Sequence, residues 1–124
     1  MRAVSALAAS ILLASATIAT ATTAALAADP AGSYRVEGTN PGSGSTYTGS
    51  VTVTKTGETW RVVWVVGNTR YIGTGIGDRN FIAVSYRAGN ETGLALYGAE
   101  GGNWQGVWAY AGGQQIGAER WLRQ

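Results

Sequence analysis

The chain has 124 residues and contains no cysteine and no histidine, whereas it carries five tryptophans and six tyrosines. Without cysteine and histidine it offers no zinc site of the usual kind, no thiol nucleophile and no Ser–His pair, so we expect neither an enzyme nor a bound metal or cofactor. Its nine basic and seven acidic residues are scattered, and a net charge of +2 argues against nucleic acid as a partner.

Residues 1–28 have the layout of a secretory signal peptide. Arg2 is followed by an apolar stretch, and the segment ends in Ala25-Leu26-Ala27-Ala28, which fits cleavage after Ala27 or Ala28. A transmembrane anchor is the alternative, but serines and threonines interrupt the stretch before it reaches about 20 apolar residues. We therefore expect export by a bacterial cell, to the periplasm or the exterior, with no membrane span after processing.

Residues 29–124 consist of short runs of β-branched and aromatic residues separated by glycine-containing turns, which predicts a single all-β domain. No segment has the apolar period of about 3.6 residues that is typical of a helix, so no substantial helix is expected. The stretch 39–45 is predicted to be a longer loop. The predicted strands are at about 33–38, 47–55, 58–66, 69–77, 80–87, 92–99, 103–110 and 114–123.

Tight turns between these strands determine the side that each residue occupies, because side chains alternate along a strand. With the predicted turns, Val53 is paired with Trp60 and Gly73 with Val84. Nearly all large aromatic residues then share one face, beside glycines. The residues on this face are Tyr47, Val51, Val53, Trp60, Val62, Trp64, Tyr71, Ile82, Val84, Tyr86, Tyr97, Trp104, Trp108, Tyr110 and Trp121.

A meander of eight strands with one aromatic face is typical of a barrel whose interior is filled by large residues beside small ones. Closure into a barrel also removes both exposed edges of the sheet. We therefore predict an eight-stranded antiparallel up-and-down meander that closes into a barrel. An open, curled sheet or a two-layer sandwich is the alternative, because no residue pattern shows that the first strand bonds to the last.

One acidic residue, Glu119, falls on the aromatic face, across from Gly106. A carboxylate in such a lining must be paired or hydrogen-bonded, and the candidate partners are tyrosine hydroxyls, tryptophan N–H groups or an arginine at the barrel end. Glu119 is then either an anchor for a bound ligand or part of a network that ties the last strand into the barrel. If the interior holds a small apolar ligand, the predicted lining is Trp64, Tyr97, Trp104, Trp108 and Glu119.

The opposite face of the sheet begins polar but becomes strongly aliphatic from the third strand onward. A contiguous apolar patch of this kind marks a protein contact, either in a homodimer or with a foreign partner. The alternatives are that β-branched residues are scattered there because they favour strands, or that the register slips after the connection at 88–91 and the later strands are inverted. The aliphatic and aromatic residues concerned are Val63, Val65, Ile72, Ile76, Phe81, Leu94, Leu96, Val107, Ile116 and Leu122.

Six segments spread over the predicted domain are GSTYTGSVTVTKTG (44–57), YIGTGI (71–76), AVSY (83–86), LALY (94–97), GVW (106–108) and GAE (117–119). Together they resemble small exported bacterial proteins that are often labelled fibronectin-binding or uncharacterised. The eight-strand meander with inward tryptophans is also similar to avidin-type and lipocalin-type barrels, although Gly32-Ser33-Tyr34 stands where those families have a Gly-x-Trp motif. The first resemblance implies adhesion and the second implies capture of a small ligand.

Two functions are therefore expected as alternatives. An adhesion or binding module that acts through its outer surface or loops should have a filled interior and an exposed apolar patch. A carrier of a small apolar molecule should have an enclosed pocket of about 300 Å³ or more.

Overall fold

The computed structural model describes residues 28–124, which form eight β-strands and no helix. The predicted signal peptide, except its last residue, lies outside the described residues. Within the described residues there is no helix of the length and apolarity that a membrane crossing requires. The strands are β1 (Gly32–Thr39), β2 (Thr46–Thr56), β3 (Thr59–Val66), β4 (Thr69–Gly77), β5 (Phe81–Ala88), β6 (Glu91–Glu100), β7 (Asn103–Tyr110) and β8 (Gly117–Arg123).

The strands form a closed antiparallel barrel in chain order. Each strand pairs with the next one, and β1 pairs with β8 from Tyr34 opposite Arg123 to Thr39 opposite Ala118. The predicted all-β, eight-stranded up-and-down barrel is confirmed, and the open sheet and the sandwich are wrong. Closure pairs the backbone N–H and C=O groups that the two terminal strands would otherwise leave exposed.

The interior is formed by alternate residues of every strand, as the period of two along a strand requires. The aromatic face predicted from the turns forms this interior, and β1 adds Tyr34 and Val36, which the sequence prediction did not include. The buried core residues are Tyr34, Val36, Val51, Val53, Trp60, Val62, Trp64, Ile82, Val84, Tyr86, Ala95, Tyr97, Trp104 and Trp121.

The β2–β3 hairpin is shifted by two residues from the predicted pairing. Val53 pairs with Val62 and not with Trp60, because the turn lies one residue later, at 57–58. Gly57 opens this turn with a φ of 59°, a conformation that favours glycine. A shift of two residues leaves each side chain on its predicted face.

The β4–β5 hairpin is shifted in the same way. Gly73 pairs with Tyr86 and not with Val84. The Asp78 carboxylate accepts a hydrogen bond from the Asn80 N–H at 2.8 Å, which stabilises a longer connection than the predicted tight turn. The shift again preserves the predicted faces, and the later hairpins keep the predicted register.

One end of the barrel is closed by Arg123. Its Nη1 donates to the Ala31 carbonyl at 2.8 Å and its Nε to the Gly102 carbonyl at 2.9 Å, while its guanidinium lies over the Tyr34 ring. The Tyr34 hydroxyl donates to the buried Pro30 carbonyl at 2.7 Å. The opposite end, which we call the mouth, carries the β1–β2, β3–β4, β5–β6 and β7–β8 connections.

Candidate binding site at the barrel mouth

The mouth leads into a cavity of about 190 Å³ that is open to solvent. It is floored by residues from the middle of the barrel and walled by residues near the strand ends. Aromatic side chains form most of the wall, and two carboxylates are the charged groups in it. The lining residues are Asn40, Tyr47, Trp64, Val66, Tyr71, Tyr86, Glu91, Tyr97, Trp108, Tyr110 and Glu119.

Several aromatic rings of the lining lie over glycines of the neighbouring strand. Tyr97 pairs with Gly106 and lies where a side chain at 106 would otherwise stand. Tyr47 lies in the same way over Gly38, its partner across the β1–β2 ladder. Because glycine has no side chain, each ring crosses its neighbouring strand and reaches the barrel axis.

Glu119 lies between these two glycines, opposite Gly38 on one side and Gly106 on the other, with only 6% of its surface exposed. Because neither glycine has a side chain, there is room for other groups on both sides of the Glu119 carboxylate. The rings over those glycines, Tyr47 and Tyr97, both reach it with their hydroxyl groups. The glycine pattern therefore positions both the acid and two of its partners.

Four hydrogen bonds converge on the Glu119 carboxylate. Oε1 accepts from Trp64 Nε1 at 2.8 Å, from the Tyr97 hydroxyl at 2.8 Å and from Trp121 Nε1 at 2.7 Å. Oε2 accepts from the Tyr47 hydroxyl at 2.5 Å. All four partners donate, which suits an ionised carboxylate because it accepts at both oxygens. The donors are those expected from the sequence, and no arginine takes part.

The tyrosines around Glu119 remain protonated to high pH. Burial, and then the charge and hydrogen bond of Glu119, raise the pKa of Tyr97 and of Tyr47 well above the ordinary value of 10.0. An un-ionised hydroxyl keeps its proton available for the carboxylate. Both hydroxyls are therefore hydrogen-bond donors throughout the neutral pH range.

A second group of tyrosines surrounds the rim, near the Glu91 carboxylate at the start of β6. Burial, and next the charge of Glu91, raise the pKa of Tyr71, Tyr86 and Tyr110. Both ends of the cavity thus carry a negative charge, one at the floor and one at the rim. Among residues 28–124, no lysine or arginine lines the cavity.

The rings of the wall meet edge to face. Tyr86 contacts Trp64, Tyr71 and Trp108 at centroid distances of 5.9, 5.9 and 6.3 Å, with interplanar angles of 66°, 76° and 69°. Trp108 in turn meets Tyr110 at 5.1 Å and 79°. Because neighbouring rings stand at steep angles to each other, the cavity wall presents both ring faces and ring edges.

Four of the five residues predicted to line a ligand site lie at this cavity. Trp64, Tyr97, Trp108 and Glu119 line it. Trp104 does not, because it is the second residue of β7, at the closed end of the barrel, where it is only 1% exposed and packs in the filled core. The remaining aromatic lining residues were predicted to face inward but were not selected, since alternation gives the side of a residue and not its depth.

The rim residues Asn40 and Glu91 were not predicted as site residues. Asn40 directly follows β1 and Glu91 begins β6, so both lie beside connections at the mouth. No sequence pattern indicates which connections share an end of the barrel until the strand order is known. Within residues 28–124, no group of three or more acidic, histidine or cysteine side chains is arranged to hold a metal ion.

The outer surface carries a row of apolar residues across five strands. Ile76 on β4 pairs with Ala83, which pairs with Leu96, then with Val107 and finally with Ala118 on β8. Ile76 is 63% exposed and Leu96 52%. The later strands are therefore not inverted, and their aliphatic residues lie on the outer face as predicted.

The chain matches no model of a known protein family, and no curated protein matches it. Functional inference therefore rests on the geometry of the mouth cavity and of the outer face.

Proposed function

We propose that this is an exported, non-catalytic binding protein that holds a small ligand in the mouth cavity. The observation that carries the proposal is an existing cavity with aromatic walls and a buried, fully hydrogen-bonded carboxylate at its floor. Mouths of β-barrels are common ligand sites, because the strands hold the lining rigid while the loops admit the ligand. The polar floor fixes the orientation of a ligand and the rings supply apolar contact.

The volume of the cavity limits the size of the enclosed group. It is about 190 Å³, less than the 300 Å³ expected of an enclosed carrier pocket. At about 30 Å³ for each water molecule, this corresponds to about six waters. A ligand group of similar size fits inside, and the rest of a larger ligand extends through the mouth into solvent.

The geometry of the acidic groups favours binding over catalysis. Glycoside hydrolysis by carboxylates needs one acid that donates a proton and a second that acts as base or nucleophile. Glu119 accepts hydrogen bonds from four donors, so its oxygens are already engaged by the protein. Glu91 lies at the exposed rim. This arrangement supports a non-catalytic function.

Tryptophan fluorescence tests the proposal, with a panel of small neutral, cationic and anionic molecules as probes. Trp108→Ala removes part of the cavity wall and should weaken binding of any panel member that the native protein takes up, by about tenfold or more. Phe81→Ala is the control, because Phe81 is a large aromatic residue on the outer surface. Equal binding by both variants, or no binding by the native protein, would contradict the proposal.

The apolar row on the outer surface supports a second candidate function, adhesion through the outer face. Monomeric proteins rarely expose a contiguous patch of this kind without a partner. The test is retention on a fibronectin-coated surface and the solution mass by light scattering, each measured for the native protein and for Leu96→Lys. If the protein adheres or dimerises through this face, Leu96→Lys should lose retention on the surface or the mass of a dimer. Unchanged retention and an unchanged mass would contradict this function.

A further inference from the structure

We propose that the mouth cavity binds a methylated ammonium group, the cationic head of a small organic molecule. This inference rests on the proposed function, because it names the chemical class of the ligand for the same cavity. It is based on three properties of the lining: its charge, the arrangement of its rings and the state of its hydrogen-bonding groups.

The charge of the lining favours a cation. Glu119 lies at the floor and Glu91 at the rim, and no basic side chain of the part of the chain that the structure describes lines the space between them. The raised pKa values of the rim tyrosines have Glu91 as their second cause, which is the effect of a negative potential on groups that would become anionic. An anionic ligand would face two like charges without a compensating donor pair.

The rings of the lining provide the faces that a cation contacts. A cation is attracted to the negative face of an aromatic ring within about 6 Å of its centroid, and a cage of several rings is the usual site for a quaternary ammonium group. Tyr71, Tyr86, Trp108 and Tyr110 follow one another along the wall at steep interplanar angles. A group at the centre of the cavity therefore meets ring surfaces in several directions.

The hydrogen bonds of the floor favour a methylated over a primary ammonium group. A primary ammonium group brings three N–H donors that need acceptors in a buried site. Oε1 of Glu119 already accepts three hydrogen bonds and Oε2 one, so the floor offers few free lone pairs. A quaternary ammonium group has no N–H to satisfy, and its methyl groups contact the rings directly.

Two further hydrogen-bond donors of the cavity wall are turned away from the cavity and do not bond to a ligand. The Tyr86 hydroxyl and Trp108 Nε1 have no hydrogen-bond partner among the described residues. The hydroxyl lies over Gly93 and the indole nitrogen against Gly117, so both face the barrel wall. The surface presented to a ligand is therefore mainly ring carbon and carboxylate.

A matched pair of probes tests this proposal by calorimetric titration of the protein that lacks residues 1–28. Choline chloride carries a trimethylammonium group, and its neutral carbon analogue replaces that group with tert-butyl at nearly the same shape. Choline should bind about tenfold more tightly than the analogue. If the analogue binds as tightly as choline, the ammonium proposal is overturned while the proposed function stands. If choline does not bind but another member of the panel does, the ammonium proposal is overturned and the proposed function stands, whereas if neither probe nor any member of the panel binds, both are overturned.

Two exposed carboxylates at opposite ends of β6 provide a control for the charge. Glu91→Gln removes the rim charge and should weaken choline binding about two- to fivefold at low salt, with no change for the neutral analogue. Glu100→Gln removes a similar charge at the closed end and should leave choline binding unchanged. Equal losses in both variants, or an equal effect on the neutral analogue, would show that the rim charge does not recognise the ligand.

Discussion

Glu119 determines the polarity of the barrel interior. Burial of a single carboxylate is costly unless hydrogen bonds replace its hydration. Four donors do so here, and they come from four strands: Tyr47 from β2, Trp64 from β3, Tyr97 from β6 and Trp121 from β8. The same contacts therefore hold distant strands together and fix the floor of the cavity, so the two interpretations of Glu119 considered from the sequence are compatible.

Replacement of Glu119 by glutamine tests the strength of this network. The amide keeps the shape but has one acceptor oxygen and adds an NH₂ donor, which faces hydroxyl and indole donors. Glu119→Gln should lower the free energy of unfolding by about 1.5–3 kcal/mol, the contribution of a hydrogen bond to a charged group. Urea denaturation followed by tryptophan fluorescence measures the change.

Glu58→Gln is the matched control for this substitution. Glu58 lies in the exposed β2–β3 turn and accepts no side-chain hydrogen bond among the described residues, so its replacement should change stability by less than about 0.5 kcal/mol. A Glu119→Gln protein as stable as this control would show that the converging donors do not stabilise the fold.

Ionisation of the tyrosines should make the folded protein less stable as the pH rises. Burial is the main cause of a raised pKa at all six tyrosines of the chain. The unfolded chain releases these protons near pH 10, so their contribution to stability is complete below that pH and is lost as the pH rises above it. Tyrosinate absorbance should therefore appear together with loss of the near-ultraviolet circular dichroism. A native protein whose tyrosines titrate at their ordinary pKa would contradict this.

At the scale of the strands, the sequence predicted the faces better than the pairings. The turn at 67–68 is correct, whereas the two turns on either side of β3–β4 were placed wrongly. Asp78 illustrates the cause, because the side-chain hydrogen bonds that lengthen its connection are not apparent from residue type alone. Both pairings are shifted by two residues, and a shift by an even number leaves each inward-facing side chain on the inner face of the sheet.

The cavity could not be predicted in the same way. Its floor depends on Tyr47 crossing Gly38, a contact between β1 and β2 that follows a loop of uncertain length. Its rim depends on which loops lie at one end of a closed barrel, and closure itself rests on β1–β8 pairing across the whole chain. Trp104 is the clearest example. It was correctly predicted to face the barrel interior, but its position along the barrel, at the closed end and not at the cavity, was not predicted.

Glycine at 106 is required by the close approach of β6. An added Cβ would overlap the Leu96 carbonyl oxygen and the Tyr97 ring. Gly106→Ala should therefore destabilise the protein by about 1–3 kcal/mol, as overpacking of a core does. Gly98→Ala is the control on the adjoining strand, because nothing lies within 4 Å of a Cβ there. Thermal unfolding of the two variants checks the prediction, and similar midpoints would contradict the close packing.

The whole molecule has two unlike ends and two unlike sides. Arg123 and the residues before β1 close one end, while the other end opens into the cavity. The outer face of β2 consists of threonines and one serine, whereas the row from Ile76 to Ala118 is apolar. The mouth and the apolar face are separate surfaces, so a ligand at one is compatible with a protein partner at the other.

Ligand binding at the mouth of the barrel can be followed through the indole N–H signals of the tryptophans. A nitrogen-15 correlation spectrum contains one such signal for each of the five tryptophans. Addition of choline should shift the signals of Trp64 and Trp108, which line the cavity, and leave that of Trp60 unchanged, since its Nε1 donates to the Gly77 carbonyl at the closed end. Shifts confined to backbone amides of the outer apolar row, with all indole signals unmoved, would contradict the account.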